Sequence, residues 1–268
     1  MKALSNSATC PKCGGGHKSK PFCLYDNGWY CFACGYTKAA DRSFTNTIVR
    51  DINCTAYPDN CTSNMNEWPL NVKLWLYKYN LTDDVIKKHQ ILLHKPDNNL
   101  VFLNIKNNAV IGYQKRDVVS RNITTAGQKL PMLLNNLVNT NIFVIVEDFI
   151  SAVRVSKLFN TVCLWGTKCS LQELQEWFKI YDICLVWLDN DTQKETNSGQ
   201  EAAAKIIEMS EKCVGFSDKK RGWTLSSKRV INIVTDKDPK CYYDVEIQDI
   251  IRRAMNESRK SINNGTFR

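Results

Sequence analysis

The spacing of apolar residues divides the chain into stretches of different character. Residues 1–38 contain too few aliphatic residues to build a core unless a metal ion or a cross-link holds them together. Residues 40–66 are rich in Thr, Asn and Ser and show almost no apolar periodicity, which indicates a linker. From Trp68 onward the pattern is that of a globular domain. Residues 72–89 carry apolar positions at helical intervals, which predicts one or two helices.

The globular part next predicts a β-hairpin and then a regular alternation of strands and helices. The hairpin comprises residues 100–105 and 110–114, joined by a tight turn at Asn107-Asn108. After residue 135, short apolar strands alternate with amphipathic helices, a rhythm typical of a parallel sheet covered by helices. The strands are predicted near 142–147, 161–165, 183–189 and 229–234, and the helices near 149–159, 170–179, 199–213 and 244–257. A capping box, Ser170 with Glu173, is expected to open the second of these helices.

Composition and charge narrow the class of protein. The 268 residues are 43% hydrophobic and 24% charged, as in an ordinary globular protein. The longest apolar runs fall well short of the roughly 18 residues that a membrane span requires. No signal peptide is evident at the N-terminus, so we expect a soluble protein that stays inside the cell. The formal charge of +9 favours a polyanionic partner.

Four of the twelve cysteines form two Cys-x2-Cys pairs separated by 17 residues. This is the spacing of a zinc ribbon with four thiolate ligands, and a reducing compartment favours metal binding over disulfides. A redox role is the alternative for a Cys-x-x-Cys motif, but two such motifs in a segment with so few core residues make it the weaker interpretation. We therefore expect one structural zinc ion, bound by Cys10, Cys13, Cys31 and Cys34.

Basic and aromatic residues alternate between and beside the two cysteine pairs. Trp29 and Tyr30 are our candidates for stacking on the bases of a single strand, since such stacking is tolerant of sequence. For any one aromatic residue, covering the metal site is an equally good explanation. The prediction therefore rests on the basic and aromatic residues of the ribbon taken together, rather than on Trp29 or Tyr30 alone.

Acidic residues follow three of the predicted strands. Glu147 comes after 142–146, and Asp189 and Asp191 come after 183–188. The last strand is followed by Asp236 and Asp238. Carboxyl ends of parallel strands are where α/β sheets place their sites, and carboxylates suit hard divalent cations. Taken singly, each acid could equally be a helix cap or a solvated loop residue.

The order of these acids along the chain is that of a TOPRIM domain. Residues 142–258 resemble this domain in the segments IVEDFISAV (145–153), LWGT (164–167), VWLDND (186–191) and KDP (237–239). Together with the four-cysteine ribbon, the whole chain resembles the primase half of the fused primase-helicases of T-odd-type bacteriophages. It is also similar to bacterial replicative primases. The ribbon with four cysteines, rather than three and a histidine, favours the phage branch.

The resemblance implies an activity and a set of roles. It implies a DNA primase, a nucleotidyltransferase that makes short RNA primers on a single-stranded DNA template from nucleoside triphosphates. Glu147, Asp189, Asp191 and Asp238 would be catalytic and hold about two Mg²⁺ or Mn²⁺ ions, with Asp236 as the alternative to Asp238. The fold implied is α/β, with a TOPRIM-type parallel sheet flanked by helices. An α+β amino-terminal subdomain and a small zinc-ribbon domain would precede it.

Basic residues near the hairpin fall where primase cores line their template and nucleotide groove. By that resemblance the contacts to nucleotide or template are expected from Lys115, Arg116, Arg121 and Lys129. A merely solvated charge is an equal alternative at each position.

One departure from the family concerns a glycine that usually follows the second Asp by about three residues. Here Gly199 follows Asp191 by 8, so residues 192–198 form a lengthened loop.

The resemblance also predicts domains and partners. The expected domains are a zinc ribbon (1–39), a flexible linker (40–67), the amino-terminal subdomain of a primase core (68–141) and a TOPRIM subdomain (142–268). No glycine-rich phosphate loop is present, so a separate replicative helicase is an expected partner. A phage-encoded protein would act in the cytoplasm of a bacterial host. Two alternatives stay open, namely a TOPRIM nuclease and a non-catalytic replication factor that binds single strands.

Overall fold

The chain folds into two compact units, Met1–Ile52 and Asn53–Arg268. The structure is a computed structural model that describes parts of both units. The residues it describes are 5–7, 10, 12–14, 22–25, 28–31, 34, 36–39, 57–135, 141–193, 195–214 and 229–263. Within them, no helix is long and apolar enough to cross a membrane.

The first unit contains a four-stranded antiparallel sheet in the order β1-β2-β3-β4. Its strands are β1 (Ser5–Ser7), β2 (Phe22–Tyr25), β3 (Gly28–Cys31) and β4 (Thr37–Ala39). Strands β2 and β3 form a hairpin that ends with Phe22 opposite Cys31. Cys31 is therefore the last residue of a strand, from which it can meet the turn that carries the first cysteine pair.

The second unit begins with an antiparallel sheet in the order β5-β6-β7-β8-β9 and two short helices. The strands are β5 (Cys61–Thr62), β6 (Leu92–His94), β7 (Asn99–Lys106), β8 (Ala109–Arg116) and β9 (Ile123–Gly127), and the helices are α1 (Leu70–Tyr77) and α2 (Asp83–Lys88). The hairpin predicted from the sequence is β7–β8. Its two turn residues, Asn107 and Asn108, have φ angles of 52° and 60°, the left-handed conformation that a type I′ turn requires and that asparagine tolerates.

A second sheet follows, with four parallel strands and one antiparallel edge strand in the order β10-β12-β11-β13-β14. The strands are β10 (Met132–Leu134), β11 (Ile142–Val146), β12 (Asn160–Cys163), β13 (Ile183–Val186) and β14 (Arg229–Asn232). The helices are α3 (Phe149–Ser156), α4 (Leu171–Phe178), α5 (Ser198–Val214) and α6 (Asp244–Asn263). The capping box of Ser170 and Glu173 is present at the start of α4, as predicted.

The parallel sheet is buried on both faces, which explains the unbroken apolar run of β11. Phe143 and Ile145 pack into one hydrophobic cluster with α4 and α5. Val144 and Val146 pack into the cluster on the other face, with α3 and the first half of α6. Alternate side chains of a strand point to opposite faces, so a strand covered on both sides must be apolar at every position.

The stretch predicted to be a linker is described only in part. Residues 40–56 lie outside the described residues. Residues 57–67 include strand β5, paired with β6, and a 3-10 helix, Met65–Glu67. Met65 is 7% exposed and belongs to the larger hydrophobic cluster. This part of the predicted linker is therefore folded into the second unit, because pairing with β6 satisfies its backbone and Met65 is buried.

Candidate functional site

The four predicted zinc ligands lie together in the first unit. The sulfur atoms of Cys10, Cys13, Cys31 and Cys34 are all within 4.8 Å of one another. The Cys10–Cys34 and Cys13–Cys31 Sγ–Sγ distances are both 3.8 Å. A disulfide would require roughly 2.05 Å, whereas tetrahedral Zn–S bonds of about 2.3 Å place two sulfurs roughly 3.8 Å apart. The four thiols therefore fit a zinc ion.

Local backbone structure shapes this cluster. The amide of Gly14 donates to the Cys10 carbonyl at 2.8 Å, and Gly14 has φ +74°, which closes a tight turn around the first pair. The Cys31 amide donates to the Tyr36 carbonyl at 2.8 Å across the second pair. Burial opposes ionisation of the Cys10 thiol, but hydrogen bonds from the Cys13 and Lys12 backbones and from neighbouring thiols lower its pKa to about 7.

The two aromatic residues predicted to stack on bases are only partly defined. Trp29 and Tyr30 are adjacent in β3. Tyr30 is 38% exposed, whereas the side chain of Trp29 lies outside the described part of the chain. An exposed tyrosine ring on the ribbon is compatible with base stacking.

The predicted catalytic acids sit at one edge of the parallel sheet. Glu147 directly follows β11, Asp189 and Asp191 follow the extension of β13, and Asp238 follows β14. Because β11, β13 and β14 are consecutive parallel neighbours, their carboxyl ends meet at the same edge. The structure thus brings together four acids that are up to 91 residues apart in sequence.

Burial and mutual repulsion set the electrostatics of these acids. Burial raises the pKa of Glu147, and the charges of Asp148, Asp191 and Asp238 add to this effect. Burial likewise raises the pKa of Asp189 to about 7. Among the described residues, Asp189 Oδ1 is buried without a hydrogen-bond partner. A buried carboxylate oxygen that lacks a donor is costly unless a cation compensates it.

A cation that no sequence pattern had indicated lies among these acids. The Lys240 ammonium is 2.5 Å from Asp238 Oδ2 and 3.0 Å from Asp148 Oδ2, and its side chain is only 11% exposed. Burial opposes the charge of Lys240, but Asp148, Asp238 and Asp189 outweigh it and raise its pKa. The only signal in the sequence was the position of this lysine, two residues after Asp238.

Asp236 and Asp238, the two alternatives for the third acid, face different partners. Asp236 accepts a hydrogen bond from the Tyr242 hydroxyl at 2.5 Å, and this bond is the main reason that its pKa is lowered. Asp238 pairs with Lys240 and raises the pKa values of Glu147 and Asp189. Of the two, Asp238 is the one whose charge acts on the other acids at this edge.

Amides and a glycine hold the loop that carries Asp189 and Asp191. Asn190 donates from Nδ2 to the Thr235 carbonyl at 3.0 Å and accepts from Asn197 Nδ2 at 2.8 Å. Gln200 Nε2 donates to the Asp189 carbonyl at 3.5 Å. Gly199 lies so close that a Cβ there would be 2.1 Å from the same carbonyl oxygen. Gly199, in the first turn of α5, therefore seats this helix directly against the backbone of Asp189.

Two further polar residues organise the base of the site. Asp148 caps α3, accepting from the Ile150 amide at 2.9 Å and the Ser151 amide at 3.1 Å. Arg154, on the same helix, is fully buried and donates to the Tyr242 carbonyl at 2.7 Å. Its guanidinium also pairs with Asp244 at 2.7 Å. Arg154 thus anchors the segment that follows Asp238 and Lys240.

The acids fit hard divalent cations by the chemistry of their donors. Glu147, Asp189, Asp191 and Asp238 offer only carboxylate oxygens, which Mg²⁺ and Mn²⁺ prefer, and the buried Oδ1 of Asp189 lacks a donor among the described residues. Within the described part of the chain, however, only the cysteine cluster brings three or more ligand atoms within 4.8 Å of one another. Of the carboxylates at this edge, Asp238 and the neighbouring Asp148 pair with the Lys240 ammonium.

The basic residues predicted to contact nucleic acid lie in different surroundings. Lys115 forms an ion pair with Asp97 at 2.6 Å, whereas the next residue, Arg116, stacks over the Trp75 ring at 5.1 Å. Adjacent residues of a strand face opposite sides of the sheet, so these two cannot line the same groove. Arg121 and Lys129 are exposed beside the hairpin. Asp97 already balances the charge of Lys115, so a phosphate would have to compete with this pair.

Comparison with known proteins identifies the fold. The chain matches no protein-family model and no curated protein sequence. It is similar to the DnaG primase catalytic domain solved with single-stranded DNA, with a TM-score of 0.53 and 14% identity over 70% of this chain and 71% of that one. The E. coli primase catalytic core gives a TM-score of 0.52 at 14% identity, and the match covers 70% of this chain and 72% of that one.

The third comparison spans both units. The Aquifex aeolicus primase, with its zinc-binding and RNA polymerase domains, gives a TM-score of 0.51 at 12% identity, covering 96% of this chain and 80% of that one. At such identities the likeness concerns the fold. The predicted fold class, an α/β protein with a TOPRIM-type parallel sheet preceded by an α+β part and a small cysteine-rich unit, is confirmed.

Proposed function

We propose that this chain is a DNA primase of the phage primase-helicase type that synthesises short RNA primers on a single-stranded DNA template. One observation carries the proposal. Four carboxylates meet at the carboxyl edge of a parallel sheet whose fold is that of primase catalytic cores. Such an edge is where α/β sheets perform their chemistry.

In this proposal Glu147, Asp189, Asp191 and Asp238 form the catalytic centre and hold Mg²⁺ or Mn²⁺. The bound metal would neutralise the incoming triphosphate and align the 3′-hydroxyl for in-line attack. Burial raises the pKa of Glu147, which makes its carboxylate a better proton acceptor than an exposed glutamate. Asn190, Gln200 and Gly199 keep the loop of Asp189 and Asp191 in place.

The four-cysteine unit would act as the template reader. Zinc would fix the turns that carry Cys10, Cys13, Cys31 and Cys34, since so small a sheet has little core of its own. The exposed ring of Tyr30, together with Trp29, would stack on unpaired bases. Residues 1–39 would form this domain, with 40–67 leading to the catalytic core.

The region 68–141 would be the amino-terminal subdomain of the primase core. Its basic residues would bind the nucleotide and the sugar-phosphate backbone of the template. Arg121 and Lys129 are exposed and suited to phosphate contacts. Arg116 lies against Trp75, a cation–aromatic pair in which the guanidinium stays charged. Lys115 would contribute only when its pair with Asp97 opens. The region 142–268 would supply the catalytic acids, and a separate replicative helicase would complete the replication machinery in a bacterial host.

The proposal is tested by primer synthesis in vitro. Zinc-loaded protein is incubated with labelled nucleoside triphosphates, Mg²⁺ and a panel of single-stranded DNA templates, and the products are resolved on a gel. Asp189→Asn and Cys31→Ser are the test variants, and Asp249→Asn, an exposed acid of α6, is the control. We expect template-dependent oligonucleotides with the unchanged chain and the control but with neither test variant.

Other outcomes would favour the alternatives. If the protein cleaves DNA and makes no polymer, and Asp189→Asn abolishes the cleavage, the chain is a TOPRIM nuclease rather than a primase. Binding of single strands without either reaction would indicate a non-catalytic replication factor.

A further inference from the structure

The carboxylates of the proposed catalytic centre already contain a fixed cation. Lys240 lies two residues after Asp238, and its ammonium is 2.5 Å from Asp238 Oδ2 and 3.0 Å from Asp148 Oδ2. With 11% of its side chain exposed, Lys240 is much more buried than a solvated surface lysine. A lysine rarely occupies such a position unless acidic partners compensate its burial.

The ammonium divides the acids into two groups. Asp148 is fully engaged, because its Oδ1 caps α3 and its Oδ2 accepts from Ser151 Oγ at 2.6 Å as well as from Lys240. Asp238 is engaged through Oδ2. Asp189 presents a buried Oδ1 that lacks a hydrogen-bond partner among the described residues. The lysine thus pairs directly with Asp148 and Asp238, whereas its charge acts on Asp189 without a direct pair and leaves Asp189 Oδ1 without a donor among the described residues.

The position of Lys240 is fixed from both ends. Pro239 is buried and opens the 3-10 helix Pro239–Cys241, which restricts the backbone before the lysine. After the lysine, the Tyr242 carbonyl accepts from the buried guanidinium of Arg154 at 2.7 Å. Because the backbone is held on both sides, the ammonium cannot leave the acids by a movement of the loop alone.

We infer that the Lys240 ammonium takes the place of one of the two divalent cations expected at this centre, so that the chain binds a single catalytic Mg²⁺ or Mn²⁺. The ion would be held by Asp189, whose buried Oδ1 lacks a donor among the described residues, together with Asp191 at the same strand end and Glu147 at the end of the neighbouring parallel strand. Lys240 compensates Asp238. This inference rests on the proposed function, since it concerns the metal content of the same site.

Two features of the site favour a single divalent ion, namely the pairing of Asp238 with Lys240 and the repulsion between neighbouring cations. The negative charge of Asp238 is already largely balanced by the ammonium 2.5 Å away, so this carboxylate attracts a second cation less strongly than an unpaired one would. Two divalent ions beside the lysine would also bring like charges together in a partly buried site, where repulsion is screened less than in water. A single lysine cation in place of one divalent ion satisfies Asp238 without such repulsion.

The test counts bound Mn²⁺ by electron paramagnetic resonance in zinc-loaded full-length protein, without template or nucleotide. We expect one equivalent for the unchanged chain and two for Lys240→Met, which removes the charge and keeps the length of the side chain. Lys240→Arg keeps the charge and should bind one. Lys237→Met removes an exposed lysine of the same loop and should also bind one.

The outcomes separate this inference from the proposed function. Two equivalents in the unchanged chain would overturn the inference and leave the metal-dependent primase intact, and this count decides even if Lys240→Met does not fold. One equivalent in both the unchanged chain and a folded Lys240→Met would also overturn it, because the lysine would then exclude nothing. No bound Mn²⁺ in any protein would overturn the metal site itself, and the proposed function with it.

Discussion

Gly199 lies against the backbone of Asp189 so closely that a Cβ at this position would be 2.1 Å from the Asp189 carbonyl oxygen. Glycine is the only residue that permits this approach, because any side chain would begin with that Cβ. The contact couples the first turn of α5 to the strand end that carries two of the proposed catalytic acids. The position of one helix therefore determines where Asp189 and Asp191 stand.

Gly199→Ala should displace the Asp189 loop and reduce primer synthesis at least tenfold. We also expect a loss of about 1–3 kcal/mol in the free energy of unfolding, as overpacking at a backbone contact typically costs. Urea denaturation and the primer assay measure the two effects. Ser198→Ala, at the exposed neighbouring position, is the control and should change neither. An active and equally stable Gly199→Ala would show that α5 can shift without moving the acids.

Cys31→Ser should remove the zinc ion. Cys31 is fully buried, and its Sγ lies 3.8 Å from that of Cys13, so the loss of its thiolate breaks a four-sulfur site. Metal analysis should fall from one zinc equivalent to near zero. The control is Cys23→Ser, a buried cysteine of β2 in the same unit that is not among the four. Retention of zinc by Cys31→Ser, or its loss from Cys23→Ser, would contradict the assigned ligands.

Asp244→Asn should lower the free energy of unfolding of the second unit by more than the loss of a surface ion pair would. Arg154 is fully buried and Asp244 is its charged partner at 2.7 Å, so neutralising the acid leaves a buried guanidinium without compensation. Since Asp244 is itself 41% exposed, we expect about 2 kcal/mol rather than the larger cost of a fully buried pair. Urea denaturation measures the change.

Asp249→Asn on the same helix is the matched control. It breaks an exposed pair with Arg252 at 3.1 Å and should cost less than about 0.5 kcal/mol. Equal effects of the two variants would mean that Arg154 is hydrated or paired in another way.

His89 should make the second unit less stable as the pH falls from about 6.5 to about 4. Burial, followed by the charges of Lys88 and Lys157, lowers the pKa of this imidazole to about 4. Between the two pKa values the unfolded chain binds a proton that the folded chain does not, so the stabilisation present above pH 6.5 is lost on acidification. We expect an effect on the order of 1–2 kcal/mol between pH 7.5 and pH 5.

The measurement compares urea denaturation of the unchanged chain and His89→Phe at both pH values. The substitution removes the titrating group but keeps an aromatic ring next to Phe149, whose centroid lies 6.4 Å from that of His89. Their stability difference should change with pH in favour of the variant at pH 5. A difference that is constant with pH would contradict the assigned pKa.

Lys129→Ala should weaken binding of single-stranded DNA about threefold to tenfold and reduce the salt dependence of binding by about one unit, as the loss of one phosphate contact does. Lys129 is exposed beside the hairpin. Fluorescence anisotropy at several salt concentrations measures both quantities. Lys106→Ala, an exposed lysine at the end of β7, is the control, and an equal loss there would indicate only a general effect of net charge.

Local patterns in the sequence predicted part of the fold but not strands β5, β6, β9 and β10, of which β5 lies in the stretch predicted to be a linker. The period of apolar residues located the β7–β8 hairpin, the parallel strands and the helices between them, since burial on one or both faces dictates that period. Cysteine spacing predicted the four sulfurs that the structure brings within 4.8 Å. Acids directly after strands predicted one cluster, because parallel strands share their carboxyl edge.

Only the tertiary structure could decide which charges meet. Lys240 reaches Asp148 across 92 positions of the sequence, and Lys115 pairs with Asp97 rather than facing solvent. Gly199, in helix α5, owes its role to the backbone of Asp189, which approaches it from the end of a strand. No periodicity encodes such contacts, since they depend on how distant segments are placed in space. The sequence by itself determined the hairpin, the parallel strands with their helices and the kinds of ligand, whereas the packing of those elements determined the partners of each charge.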